Sequence, residues 1–308
     1  MNTPKIVTRV LRASVSRISG SVMEALFDAR ERAVNERVEG LHASLMYSSG
    51  WFLLWLEGSD EAVDTVLARS SKKLRKHVQP RIIHRSKGAA TLKEALTVMT
   101  TQWPETPADF ARRIEAVEHA RPLLEPKEMW RRLAEPCALG EAHPARRVAL
   151  VGADDTRSID FVRKLADRFG APMVYQRFAN SDLTTRDVGA VYVDLPIDGE
   201  PTRVQVLSRR ALGHRMVRES LRNVQKIAVV LGPRPGSAIE LADSVAGFVH
   251  AVPAVPEIDL IGQCAETAHS VSEYLCRQVK RAITHRVSEA TEANLLEVLF
   301  GPPLAKAA

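Results

Sequence analysis

The residues whose types and spacing bear most directly on chemistry lie between an apolar run and an amphipathic stretch. Arg147–Gly152 (RVALVG) predicts a short buried strand, and Ile159–Phe169 predicts a helix. Between them stand Gly152, Ala153, Asp154, Asp155, Thr156, Arg157 and Ser158. Such a strand-to-helix turn is where a phosphate-cradling loop of the pattern G-x-x-x-x-G-K-[ST] sits. Its glycines let backbone N–H groups face the oxyanions, and its Lys spans the outer phosphates. Here the first Gly is present. Without a gap, Arg157 takes the place of the second Gly, Ser158 that of the Lys, and Ile159 that of the Mg²⁺-binding hydroxyl. With one residue deleted, Thr156-Arg157-Ser158 fall over G-K-S, making Arg157 a cation and Ser158 a Mg²⁺ ligand. The β-branched Thr156 then resists the positive φ that a Gly supplies. Asp154 and Asp155 would each repel a triphosphate by on the order of a few kcal/mol at a partly buried dielectric. The loop is therefore expected to keep the frame of a phosphate loop without binding phosphate.

The other groups capable of chemistry are fewer. Arg209, Arg210, Arg215, Arg218 and Arg222 cluster in sequence, and 215, 218 and 222 share a face at helical spacing. They predict a solvated face or a partner-docking surface. His214 follows Gly213, beside these arginines. The nine histidines form no H-E-x-x-H or related set, so no metal site is expected. No Ser lies in a nucleophile elbow. The three cysteines, Cys137, Cys264 and Cys276, are far apart and in no metal-ligand spacing, which suggests a reducing compartment.

Strands and helices must position these groups, and the pattern divides the chain in two. In the first half, Ile6–Ala13 predicts a strand, and Ser21-Val22-Met23-Glu24 a capping box opening a helix to about Asn35 with Met23, Leu26 and Phe27 inward. Gly40–Tyr47 and Trp51–Leu56 form a hairpin across Ser48-Ser49-Gly50. Ser59–Lys76 is a helix, Val78–Ile83 a strand, and Thr91–Thr100 a short amphipathic piece. Thr106-Pro107 caps a helix to about Ala120. The β-α-β-β-α-β order is the ferredoxin-like pattern. Residues 121–145 hold Pro122, Pro126, Pro136 and Pro144 and predict a linker with a helical stretch near Trp130. The second half gives further strands at Ala190–Leu195, Arg203–Leu207 and Lys226–Leu231, with a poor last strand at Ala251–Pro256. Helices are expected at His214–Asn223, Ser237–Val249 and Gln263–Ile283. This alternation predicts an α/β sheet over 146–285 and a helical tail over 286–308, whose Asn294–Phe300 suits docking into a partner's groove.

Length and composition set the bounds. The 308 residues suffice for two cores, with 45% apolar and 26% charged residues as in ordinary globular protein. A net charge of +6, with no block of five or six consecutive basic residues and 5% aromatics, argues against a nucleic-acid role. No window suits a membrane span, and the first residues lack a signal-peptide pattern, so a cytoplasmic location is expected.

Gly40–Gly58, GLHASLMYSSGWFLLWLEG, resembles the BLUF family of blue-light sensors, which hold FAD in a ferredoxin-like domain; the resemblance covers about residues 5–120. It implies a flavin network of a Tyr, a Gln and an Asn. Those positions fall on Arg12, Leu54 and about Arg32, with Asn35 out of register. Leu54 has no amide to rearrange. The resemblance therefore implies a flavin-free domain, with Leu54 and Trp55 filling the cleft.

Residues 145–285 resemble the small GTPases, in the bacterial gliding and polarity branch. The carriers are the strand ending at Gly152, the pair Thr184-Thr185 ahead of a strand with Asp194, and Gly213 before His214. In that family these are switch elements reaching Mg²⁺ and orienting the attacking water. Of the base-reading N-K-x-D, Pro256-Glu257-Ile258-Asp259 keeps the Asp. The two resemblances together imply a non-enzymatic signalling protein with a BLUF-like domain and a pseudo-GTPase domain, without FAD or GTP/Mg²⁺. It would act through protein partners, in motility, polarity or other signalling, as a homodimer. The alternatives are a weak GTPase using Arg157, Ser158, Thr184 and Asp194, a residual flavin photosensor, and a basic DNA-binding regulator.

Overall fold

The computed structural model describes residues 5–16, 21–74, 80–137, 144–152, 155–280 and 283–301, with the backbone alone for 70–74 and 155–157. The chain is mixed α/β and divides into two compact units. One is Met1–Pro136 with Gln176–Asp187, and the other is Cys137–Tyr175 with Val188–Ala308.

The first unit runs β1 (Ile6–Val15), α1 (Val22–Asn35), β2 (His42–Ser48), β3 (Trp51–Gly58), α2 (Asp60–Leu74), β4 (Arg81–Ala89), β5 (Leu96–Gln102), α3 (Pro107–Ala120) and α4 (Pro126–Ala134). Its strands lie in the order β4-β1-β3-β2-β5. All neighbours are antiparallel except β2 and β5. Local signals fix several ends. Ser21 accepts from the Glu24 N–H at the start of α1. Thr106 and Asp109 form a reciprocal capping box on α3. The β2–β3 turn needs positive φ at both central residues, Ser49 at 47° and Gly50 at 80°, as a two-residue hairpin of primed type requires.

The alternation of β3 distributes its side chains to two faces. Leu54 and Leu56 join Val10 and Val63 beneath α2. Trp55 lies against Trp130 of α4, ring centroids 5.8 Å apart. Leu54 and Trp55 thus occupy opposite faces of the sheet and do not fill one cleft together. On α1 the buried residues are Leu26 and Arg30, while Met23 and Phe27, expected inward, are exposed. The stretch expected as a linker contributes α4, which buries Met129, Trp130 and Leu133.

The second unit runs β6 (Arg146–Gly152), α5 (Asp155–Phe169), β7 (Met173–Asn180), β8 (Val188–Ile197), β9 (Glu200–Ser208), α6 (Arg209–Gly213), α7 (Arg215–Ser220), β10 (Lys226–Val230), α8 (Pro235–Val249), β11 (Glu257–Gly262), α9 (Ala265–Val279), β12 (Thr284–Val287) and α10 (Glu292–Phe300). From Gln176 onward β7 belongs to the first unit, where it lies beside β5. The second unit's strands are ordered β12-β11-β10-β6-β9-β8. They are parallel except for the β8–β9 hairpin, which turns on Asp198 and Gly199 at φ 52° and 80°.

Two expectations for this half change. The last strands are Glu257–Gly262 and Thr284–Val287, not Ala251–Pro256. The tail helix α10 packs Leu295, Val298, Leu299 and Phe300 into a core with Val148, Leu150, Phe161 and Leu165. Its apolar face is spent within its own unit and is not offered to a partner's groove.

Candidate functional site

In a sheet of mostly parallel strands with helical connections, ligands sit outside the carboxyl ends of the strands. In the second unit that edge brings Gly152 of β6 level with Ser208 of β9 and Val230 of β10. Of the predicted phosphate loop, Asp154 lies outside the described residues, as do the side chains of Asp155 and Arg157. Ser158 is buried in the first turn of α5. Ser208 accepts from the Ala211 N–H at 3.2 Å and so caps α6. Gly213 ends that helix exposed, and the His214 N–H donates to the Ala211 carbonyl at 2.9 Å. Just beyond β11, Cys264 stands at the N-cap position of α9, and hydrogen bonding from Thr267 holds its thiol below the ordinary value.

The residues predicted to reach Mg²⁺ are not gathered at this edge. Asp194 lies within β8, directly across from Arg203 of β9. Arg203 donates through Nε to Asp194 Oδ1 at 2.7 Å and through Nη2 to Oδ2 at 2.9 Å. Both side chains are 1% exposed, and the guanidinium lies 3.8 Å above the Tyr192 ring. A carboxylate held through both oxygens by a buried guanidinium is committed to that pair. Thr184 and Thr185 belong to the other unit. There the Thr184 N–H and hydroxyl both donate to Asp182 Oδ1, at 2.9 and 2.7 Å, and the Thr185 hydroxyl donates to Asn180 Oδ1 at 2.8 Å. The Thr184 hydroxyl is the largest cause holding the Asp182 carboxyl below its usual range. Asp259 is the third residue of β11, paired at 2.8 Å with Lys226 Nζ, whereas the carboxyl end of that strand is Gly262. It does not stand where a base-reading residue would.

The arginine cluster is also redistributed. Because α7 ends at Ser220, Arg222 falls beyond it and does not continue the face of Arg215 and Arg218. Arg209 pairs with Glu240 of α8, and Arg218 Nε donates to the Leu212 carbonyl at 2.8 Å. Arg210 and Arg222 are exposed.

In the first unit, Arg12 of β1 stands directly opposite Leu54 of β3. It is buried, and desolvation lowers its guanidinium from the ordinary value. Arg32 is exposed on α1, and so is Asn35. The arginine that α1 buries is Arg30, two positions earlier, which the sequence reading did not single out. It donates to the carbonyls of Asn180 and Asp182 and faces Asp187 Oδ1 at 3.4 Å. Arg177 Nε donates to the other oxygen of Asp187 at 2.8 Å. Beside this cluster lies a cleft of about 330 Å³ between α1, β5 and the 177–187 segment. Glu57, the acidic residue of the LEG triplet, is buried and accepts from the Thr91 N–H, the Thr91 hydroxyl and the Leu92 N–H at 2.6, 2.6 and 2.7 Å. That carboxylate anchors the loop ahead of β5.

No helix among the described residues is long and apolar enough to cross a membrane. No protein-family model matches the chain, and no curated protein matches it in sequence. Similar solved structures include the BLUF protein BlrB in its dark state, at 17% identity and a TM-score of 0.29, covering 41% of this chain and 90% of BlrB. A bacterial light-regulated adenylyl cyclase matches at 12% identity and a TM-score of 0.27, over 80% of this chain and 67% of that one. A small COPII coat GTPase from Encephalitozoon cuniculi, in complex with GDP, matches at 13% identity and a TM-score of 0.28, over 64% of this chain and 87% of that one.

Proposed function

We propose that this chain is a signalling or regulatory protein that acts by binding other proteins, as a homodimer and without catalysis. Its first unit is read as a flavin-free, ferredoxin-like domain of the BLUF type. Its second is read as a pseudo-GTPase. The observation that carries the reading is Asp194, engaged through both oxygens by the buried Arg203. Freeing it for Mg²⁺ would leave an uncompensated buried guanidinium, a cost of about 3–5 kcal/mol. The first unit supports the same reading, because Leu54 packs into the core under α2 where a flavin-ordering amide would be needed.

The test is a native mass spectrum of the purified full chain, followed by thermal unfolding with added ligands. The expected spectrum is a dimer free of FAD and nucleotide, with a Tm unmoved by millimolar GTP and Mg²⁺. Retained nucleotide, or a Tm raised by GTP, would replace this reading with a nucleotide switch. A yellow protein whose absorbance shifts to the red under blue light would replace it with a photosensor.

A further inference from the structure

The cleft beside α1 lies wholly in the first unit. Its apolar lining comes from Met23, Leu26, Phe27, Val98, Met99 and Ala179. No residue of α2 lines it; Val98 and Thr100 share the sheet face of Arg12 and Leu54, and the cleft opens on the α1 side of that face while Leu54 packs on the α2 side. Its volume is at the lower end of the range for small-molecule sites. Two rim residues are unusually open for their type, Phe27 at 53% and Met23 at 38% exposure.

The polar groups decide what such a cleft takes. Thr100 lines it and is 8% exposed, yet its hydroxyl has no hydrogen-bond partner among the described residues. The residue is buried, but its hydroxyl oxygen keeps access to the cleft and is free to bond a ligand group. Both guanidinium groups are engaged: Arg30 by two carbonyls and Asp187, and Arg177 by the same carboxylate. The remaining charges at the cleft, Glu24 and Asp28, sit one turn apart on α1, and their carboxylates have no partner among the described residues. Like charges at that spacing repel. A cation between them relieves the repulsion and meets the exposed face of Phe27.

We infer that this cleft binds a small organic cation with an apolar body, an alkyl- or arylammonium. Its body lies against Leu26, Val98 and Ala179. Its nitrogen is held by Glu24, Asp28 and the Phe27 ring, with Thr100 accepting a hydrogen bond. This inference goes beyond the protein-binding reading and does not depend on it.

The test titrates the full chain at low salt with three probes sharing one ring system: 1-naphthylmethylamine, 1-naphthalenemethanol and 1-naphthylacetate. Calorimetry is expected to give 1:1 binding of the amine, about tenfold tighter than the neutral alcohol, with the anion weakest. The double variant Glu24→Gln/Asp28→Asn changes exposed groups. It should erase the amine's preference while leaving the alcohol's affinity in place, and Thr100→Val should weaken the amine a few-fold. Equal binding of amine and alcohol, no saturation by the amine up to millimolar concentration, or an undiminished preference in the double variant would each overturn the inference.

Discussion

Arg203 in the second unit and Arg30 in the first are both buried arginines facing a carboxylate, and they differ in what else they hold. Arg203 meets Asp194 across a strand pair, through two short bonds, with an aromatic ring against its face. Donor, acceptor and ring all come from β8 and β9. Arg30 reaches from a helix to the carbonyls of Asn180 and Asp182, and its carboxylate partner is 3.4 Å away and shared with Arg177. A charge paired across one sheet fills the volume it occupies. A charge that ties a helix to a neighbouring loop leaves a cleft at its side, where a ligand has room.

Breaking the tighter pair should cost most. Asp194→Ala strands a buried guanidinium and is expected to lower stability by about 3–5 kcal/mol in denaturant unfolding, while Asp194→Leu with Arg203→Met recovers most of the loss. An Asp194→Ala loss under 1 kcal/mol would mean that the pair is not the closed unit described above. Glu57→Ala removes a buried carboxylate that neutral donors satisfy, an intermediate case, with an expected loss of about 2–3 kcal/mol. Asp187→Asn should cost about 1 kcal/mol, because Arg30 keeps both carbonyls. A loss equal to that of Asp194→Ala would erase the contrast between the two arginines.

The smallest effect concerns His84 of β4, whose imidazole is held below its ordinary value by burial first, then by Arg9 and Arg121. The folded state then favours the neutral ring, and the unfolded chain binds the proton more readily. Stability from this site is complete above the unfolded value of about 6.5 and declines as the pH falls through the folded one. Chemical unfolding measured from pH 7.5 to 5 should show a decline that His84→Gln flattens.

The elements with strong local chemistry were legible in the residues. The hairpin around Ser49 and Gly50, the start of α1 at Ser21 and that of α3 at Thr106 need only their own turn and cap residues. The Glu257–Gly262 strand was hidden because it carries the buried Asp259, which is tolerable only when paired with Lys226, a residue about thirty positions away in sequence. The tail looked unpartnered because its core neighbours, Val148 and Phe161, lie far upstream. The buried arginine of α1, Arg30, carries no signal of its own in the sequence. Helical phase alone gives a stripe, and the carbonyls of Asn180 and Asp182 decide which arginine it takes in. The cleft was not visible at all, since its walls are two stretches separated by a unit boundary in sequence.

The interruption of the first unit by residues 137–175 bears on how the protein can be cut. A fragment ending at Pro136 contains every strand of the β4-β1-β3-β2-β5 sheet but loses the Gln176–Asp187 segment. It would bare the outer edge of β5, a template for intermolecular strand pairing, and deprive Arg30 of its acceptors. A single scission between the halves should therefore yield a sticky, aggregating N-terminal piece, whereas a nick that leaves both pieces associated should be tolerated.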